Sequence, residues 1–311
     1  MPRQSTSVSA RLRSGSPARL APAAGAALGL LFATSSPALG QAVERALYVS
    51  VTDGKGAPVT SVRPDDLDVR EDGVRREVLR VVPASEPMQI ALLVDNSQAA
   101  TQDISNLREG LEAFVAVVAP AHQVALVTLG DRPTIVTEAT SDAAVLRKGV
   151  GRLFAQPGSG TYLLDALVET AAGFKKREPA RPVIVSVTTN AVEFSNANYV
   201  QVLDALKGSY ASYDAVVILR AAGTEADTEE KRSRAVVLDR GTRENGGARR
   251  DLLTSMSLED ALTSLARELL SRMKVVYARP VSLIPPERVT VAAVREGWTA
   301  RGVPARPEEG R

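Results

Sequence analysis

The sequence predicts an α/β fold: a doubly wound, mostly parallel sheet with a small accessory β unit supplied by the flanks. Three observations predict it. From Met88 onward, apolar runs alternate with helical patterns, beginning "MQIALLVD", "ISNLREGLEAFVAVVA", "QVALVTLG", and such alternation builds parallel sheets. The run Ile90 to Val94 is five apolar residues ending in Asp95, as a buried strand requires. The flanking segments carry strand patterns with turn signals instead of helices. With 311 residues, 44% hydrophobic and 4% aromatic, the chain has enough Val, Leu and Ala for a sizeable core.

Residues 1–40 read as a secretory signal peptide. Arg3, Arg11, Arg13 and Arg19 precede an apolar run from Leu20 to Ala33, and Ala38 and Gly40 are small residues suited to cleavage before Gln41. The run is shorter than the ~20 residues a membrane span needs, and no later segment is long and apolar enough. No membrane span is expected after cleavage. Removing residues 1–42 takes four arginines and no acid from 38 basic and 36 acidic residues, leaving acids two ahead. Without a basic patch, a nucleic-acid partner is not expected. The lack of cysteine excludes disulfides, thiolate metal sites, cysteine catalysis and a lipid-modified N-terminal cysteine. The expected location is exported, periplasmic or secreted, in a bacterial envelope.

Residues 45–83 form an N-terminal β segment. "RALYVSVTD" is a strand, and "DLDVREDGVRREVLRVV" is a hairpin turning at Asp72-Gly73, with Val69, Val74, Val78 and Val81 on one apolar face. The α/β domain spans 88–278. Its first long helix places Leu107, Leu111, Phe114, Val115 and Val118 on one side. "QVALVTLG", "TIVTEA", "RPVIVSVTT" and "YDAVVILRAA" are strands. "DAAVLRKGVGRLFA", "YLLDALVETAAGFKK" and "YVQVLDALKG" are helices. Residues 224–250 are a polar loop with a short helix near Arg234–Arg243. The last helix carries the stripe Leu258, Leu262, Leu265 and Leu269, with Ser257 placed to cap it. "KVVYARP" is the domain's last strand. Residues 281–302 are a C-terminal β segment, turning at Glu296-Gly297 and able to return to the 45–83 unit. Residues 303–311 are expected to be a disordered tail.

In open α/β sheets, ligands bind outside the carboxyl ends of strands where strand order reverses. Asp95 and Ser97 lie at such an end, in "VDNSQA". Thr161 precedes a helix in "GSGTYLLDAL", and Thr188-Thr189-Asn190 closes the next central strand. A carboxylate with hydroxyls is a hard-oxygen set suited to Mg²⁺ or Mn²⁺. The same side chains also serve commonly as loop and helix caps.

This combination resembles the von Willebrand factor A domain family, whose fold is Rossmann-like. The family's metal-ion-dependent adhesion site has Asp-x-Ser-x-Ser after the first strand, a Thr before a helix, and an Asp in a Thr-Asp-Gly turn. Asp95, Ser97 and Thr161 match. Ala99 replaces the second serine, Thr189 replaces the final aspartate, and Asn190 stands where glycine is usual. The resemblance implies weak or absent Mg²⁺ or Mn²⁺ binding, hence no required cofactor. Asp131 and Glu193 are candidates to replace the lost carboxylate. In an intact family site a partner's Asp or Glu completes the ion's coordination, so a protein partner is implied. Asn96, Asp131, Asn190 and Glu193 are candidates for its binding face. The flanks extend the resemblance to bacterial family members over roughly 45–302, through "VSVTDGKGAPVTSVRPDDLDVREDGVRREV", "RENGGARRDLLTSMSLEDALTSLARELLSRMKVVYARP" and "VREGWTARG", with Trp298 at an aromatic position.

Enzyme readings fare poorly. The only histidine, His122, precedes a strand at the opposite sheet edge from Asp95 and reads as a surface residue, not a base. There is no Gly-x-Ser-x-Gly elbow and no phosphate-binding loop, and "GVGRLF" lies in a helical pattern without a third glycine. Asp95 as a phosphorylated nucleophile is the remaining enzyme alternative. The expected protein is an exported, non-catalytic binding module of adhesion or scaffold type with a degenerate metal site. The alternative is a working Mg²⁺ or Mn²⁺ adhesion site.

Overall fold

The computed structural model describes residues 42–219, 228–281 and 283–307. The expected signal peptide, residues 1–40, lies outside the described residues, as does the end of the expected tail, 308–311.

The central sheet follows the alternation read from the sequence. Its strands are β5 (Met88–Val94), β6 (Gln123–Thr128), β7 (Thr134–Thr140), β8 (Arg181–Thr189), β9 (Ser212–Ile218) and β10 (Arg249–Leu252), after four strands, β1 to β4, in the N-terminal flank. The spatial order is β10-β9-β8-β5-β6-β7. All neighbours are parallel except β7, which runs antiparallel to β6. Every residue of β8 and β9 is buried, because helices cover both faces and leave neither side to water.

Strand alternation sorts the core into two layers. Ile90, Leu92 and Val94 face α1 (Ile104–Val118) and the last helix of the domain, with Leu107, Leu111, Phe114, Leu258, Leu262 and Leu265 in one cluster. Ala91 and Leu93 face the other way, toward α3 (Leu163–Arg177) and α4 (Tyr199–Ser209). On the α1 side, α2 (Ala143–Val150) adds Leu146 and Val150 to the first cluster and stops at Val150, so the rest of "GVGRLF" lies outside a helix. The polar segment holds more structure than the expected short helix. From α5 (Glu229–Val236) the chain passes through a π turn at Val237–Gly241 into α6 (Thr242–Glu244), then adds β10 to the sheet edge. The last helix, α7 (Leu258–Leu270), buries its leucine stripe as expected. Ser257 does not cap it; Thr254 instead accepts from the Met256 N–H in the turn before it.

The flanks build two antiparallel sheets. One is β13 (Thr299–Pro304), β1 (Ala42–Thr52), β11 (Met273–Pro280) and β4 (Val78–Pro83), in that order; the other is β12 (Val289–Ala293), β2 (Leu67–Glu71) and β3 (Val74–Arg76). They enclose a third core of Leu47, Val49, Val51, Leu67, Val69, Met273, Val275 and Tyr277, with Trp298 packed against it. The expected last strand of the α/β domain, "KVVYARP", is β11 and belongs here, paired with β1 and β4. Asp72 and Gly73 both have positive φ, 47° and 84°, the geometry a tight β2–β3 turn requires. Val74 is 57% exposed, so it does not share the apolar face with Val69. β13 continues to Pro304, and Val303 is buried, so order extends past the expected start of the tail.

Charged side chains join the two parts. Arg272, buried between them, donates to Ser50 Oγ at 3.1 Å, Ser212 Oγ at 2.5 Å and Asp214 Oδ2 at 2.9 Å. Arg250 bonds Asp214 and Glu268, and Arg301 of β13 bonds the other Glu268 oxygen.

Candidate functional site

β5 and β8 are parallel neighbours from which the chain leaves in opposite directions, to β6 on one side and β9 on the other. Their carboxyl ends therefore open a crevice at the switch in strand order. Asp95 follows β5 directly, and its N–H continues the ladder to the Val187 carbonyl at 2.8 Å. Thr188 and Thr189 end β8 beside it.

Asp95 is fully buried. Its Oδ1 accepts the Ser97 N–H at 2.9 Å. Its Oδ2 accepts the Thr189 N–H at 3.0 Å, the Thr189 hydroxyl at 2.7 Å and the Thr188 hydroxyl at 3.3 Å. This is the capping use of an Asx side chain, extended across two strand ends. Oδ2 thus takes three donors from the end of β8, and Oδ1 takes one from its own loop.

Thr161 is held between two loops. It forms isolated bridges with Gly130 and Glu193, donates its N–H to the Val192 carbonyl and accepts from the Phe194 N–H. Its hydroxyl and that of Ser97 are both buried and lack a hydrogen-bond partner. Ala99 lies in the short 3-10 turn after Ser97 and offers a methyl, not an oxygen.

The candidate binding-face residues separate. Asn96 is buried: its Oδ1 accepts the Gly130 N–H, its Nδ2 donates to the Phe154 carbonyl, and it clasps three loops together. Glu193 is buried too, accepting the Ser195 hydroxyl at 2.6 Å and the Leu164 N–H at 3.5 Å. Burial pushes its carboxyl upward, and Arg234 opposes that shift. Asp131, at φ 68°, and Asn190 are exposed at the edge.

Arg234 is the residue that sequence reading missed. It reaches from α5 into the crevice and is only 5% exposed. Its guanidinium donates to the Ala191 carbonyl at 2.6 Å, the Thr188 hydroxyl at 2.7 Å and the Thr189 carbonyl, and its Nε lies 3.7 Å from Glu193 Oε2. The Thr188 hydroxyl thus touches both Asp95 and Arg234. Arg234 sits in a polar stretch, "EEKRSRAVV", where an arginine is ordinary surface and no spacing marks it as buried.

Around the crevice three apolar side chains are exposed: Phe154 at 66%, Phe194 at 51% and Val192 at 44%. Gly160 is required beneath Phe194, because a Cβ there would collide with the Phe194 ring and lie 2.8 Å from the Val192 carbonyl.

Residues 90–191 match the family model of the von Willebrand factor type A domain. Over these residues the chain is similar to that family. Similar solved structures include a von Willebrand factor type A protein from Catenulispora acidiphila, at 12% identity and TM-score 0.46, covering 88% of this chain and 75% of that one. The conserved hypothetical protein BatB from Bacteroides thetaiotaomicron aligns at 12% identity and TM-score 0.43, over 58% and 98% of the two chains. The vWF domain of the type V pili tip protein Mfa5 from Porphyromonas gingivalis aligns at 9% identity and TM-score 0.44, over 59% and 95%. No curated protein matches the chain.

Among the described residues, no three or more His, Asp or Glu side chains come together to hold an ion. No helix among the described residues is long and apolar enough to cross a membrane. His122 lies at the other end of the sheet from Asp95. It is buried, not a surface residue, and its Nδ1 accepts the Met88 N–H at 3.2 Å.

Proposed function

We propose that this is an exported, non-catalytic protein-binding module of adhesion or scaffold type, whose von Willebrand factor A domain engages its partner without a resident divalent ion. The observation that carries the reading is the contrast at the crevice: exposed Phe154, Val192 and Phe194 surround a polar centre that the chain has already tied up for itself. Exposed apolar groups around a polar centre are what a protein interface uses. The donor set does not fit Mg²⁺ or Mn²⁺. Such ions need several oxygen ligands with carboxylate charge. Here the Asp95 Oδ2 is taken up by Thr188 and Thr189, Ala99 offers no oxygen, Thr189 donates to Asp95 instead of supplying a carboxylate, and a guanidinium stands close by.

The test is capture of an envelope partner on immobilised protein, repeated in EDTA and with Phe154→Ser and Phe194→Ser variants. Binding that survives EDTA and is lost in both variants supports the reading. Binding indifferent to the rim, or abolished by EDTA, rejects it. Export is tested separately, by fractionating cells that express the full chain and locating the N-terminus of the product.

One observation favours a second reading, a working adhesion-type ion site. The Ser97 and Thr161 hydroxyls are buried without partners, and such atoms ordinarily have one. A rise in Tm of the unaltered protein with Mg²⁺ or Mn²⁺ would select it.

A further inference from the structure

We propose that Arg234 is the resident cation of the crevice, taking the electrostatic place of a divalent ion, and that removing it uncovers a divalent-cation site. The argument starts from charge. Asp95 after β5 and Glu193 in the loop after β8 are two buried carboxylates, and Arg234 pairs with Glu193 directly and reaches Asp95 through the shared Thr188 hydroxyl. Its contacts are those an ion would make with oxygens: a carboxylate, a hydroxyl and two main-chain carbonyls. Buried carboxylates need a paired charge, and here α5 delivers it as a side chain.

Removing the guanidinium changes the balance of the site. It leaves the Glu193 carboxylate without its partner, and Glu193 Oε2 already has no hydrogen bond. Thr161 and Glu193 are bridge partners, which places their side chains on one side of the backbone. The unpartnered hydroxyls of Thr161 and Ser97 are at the same crevice. Two carboxylates, hydroxyls and the freed Thr189 and Ala191 carbonyls form an all-oxygen set, the kind that Mg²⁺ and Mn²⁺ select.

The inference shares the site of the proposed function but requires no partner, so failure of partner capture leaves it standing. The experiment is thermal melting of the whole protein, of Arg234→Gln and Arg234→Ala, and of Arg234→Gln/Glu193→Gln, each in EDTA, in MnCl₂ and in NaCl of equal ionic strength. The unaltered protein is expected to melt alike in all three. Both single variants are expected to melt lower in EDTA and to recover by about 5 °C or more when Mn²⁺ reaches a hundred times its Kd. The double variant is expected not to recover. Titration calorimetry with Mn²⁺ alone gives binding by Arg234→Gln and none by the unaltered protein. Mn²⁺ stabilising the unaltered protein overturns the proposal. So does a variant that Mn²⁺ does not rescue, or failure of both single variants to fold with and without the ion. Equal rescue of the double variant overturns the assignment of Glu193.

Discussion

Thr189 grips one oxygen of Asp95 twice, with its backbone N–H at 3.0 Å and its hydroxyl at 2.7 Å. Thr189, at the position where the family resemblance leads one to expect a carboxylate, is a hydrogen-bond donor to Asp95. Asp95→Ala leaves the buried N–H groups of Ser97 and Thr189 without acceptors, and each such group costs about 1–3 kcal/mol. A total loss of about 2–5 kcal/mol is expected from urea unfolding, with the m-value unchanged. Thr189→Val keeps the shape and removes only the hydroxyl, so about 1.5–3 kcal/mol is expected, the range for a bond to a charged group. A loss under about 0.5 kcal/mol for Asp95→Ala, the level of an ordinary surface change, would show that water already satisfies this carboxylate.

Thr189→Asp places a second carboxylate against Asp95. Like charges this close cannot both ionise without cost, and one pKa is driven up. A group with a raised folded-state pKa binds more protons folded than unfolded, so stability rises as pH falls toward that pKa. The variant is expected to melt well below the unaltered protein at pH 7.5 and to close part of that gap by pH 5.5. A constant gap across this range would mean that the new carboxylate turns away to solvent.

Much of this architecture was legible, because periodicity reports burial. The stripe Leu258, Leu262, Leu265, Leu269 and the run Ile90–Val94 pointed to core positions that the structure occupies. What periodicity does not report is which sheet a strand joins. "KVVYARP" reads as a strand of the α/β domain, yet its Val275 and Tyr277 enter the core between the flanks. β10 escaped notice because Arg249, Arg250 and Asp251 are polar; its side chains serve ion pairs at a sheet edge. Arg234 escaped for the same reason, since burial of a cation depends on oxygens brought from Thr188, Thr189 and Ala191, more than forty residues away. At the site, the sequence places Asp95 and Ser97 after one strand and Thr161 before a helix. The direction of the Thr189 hydrogen bonds was not written in that placement.

The junction between the two parts rests on Arg272, which crosses from the flank to Ser212 and Asp214 of β9. Arg272→Met keeps the bulk and removes the charge. Asp214 is fully buried and would retain only the Arg250 guanidinium and the Ala248 N–H. Breaking a buried pair on one side costs about 3–5 kcal/mol; the low end is expected because Arg250 remains. In the double variant Arg272→Met/Asp214→Asn the uncompensated charge is gone, and part of the loss is expected to return. Strict additivity of the two substitutions in urea unfolding would show that the pair is not coupled.

His122 supplies a pH dependence. Burial lowers its pKa first and the nearby Arg181 lowers it further, while a hydrogen bond at Ala121 opposes both. Its Nδ1 must stay unprotonated to accept the Met88 N–H, and the folded state therefore favours the neutral ring. The unfolded chain takes up a proton below the ordinary histidine pKa of about 6.5, whereas the folded chain does so only at lower pH. The unfolded state then binds more protons, so stability is full above that ordinary value and declines as pH falls toward the folded value. His122→Asn can offer Oδ1 to the same N–H and does not titrate. Between pH 7.5 and 5.5 the Tm of the unaltered protein is expected to fall relative to that of His122→Asn. Using the difference between the two curves removes Glu193, whose raised pKa acts with the opposite sign in both proteins. Parallel curves would mean that the ring is hydrated in the folded state and that the Met88 hydrogen bond does not hold it neutral.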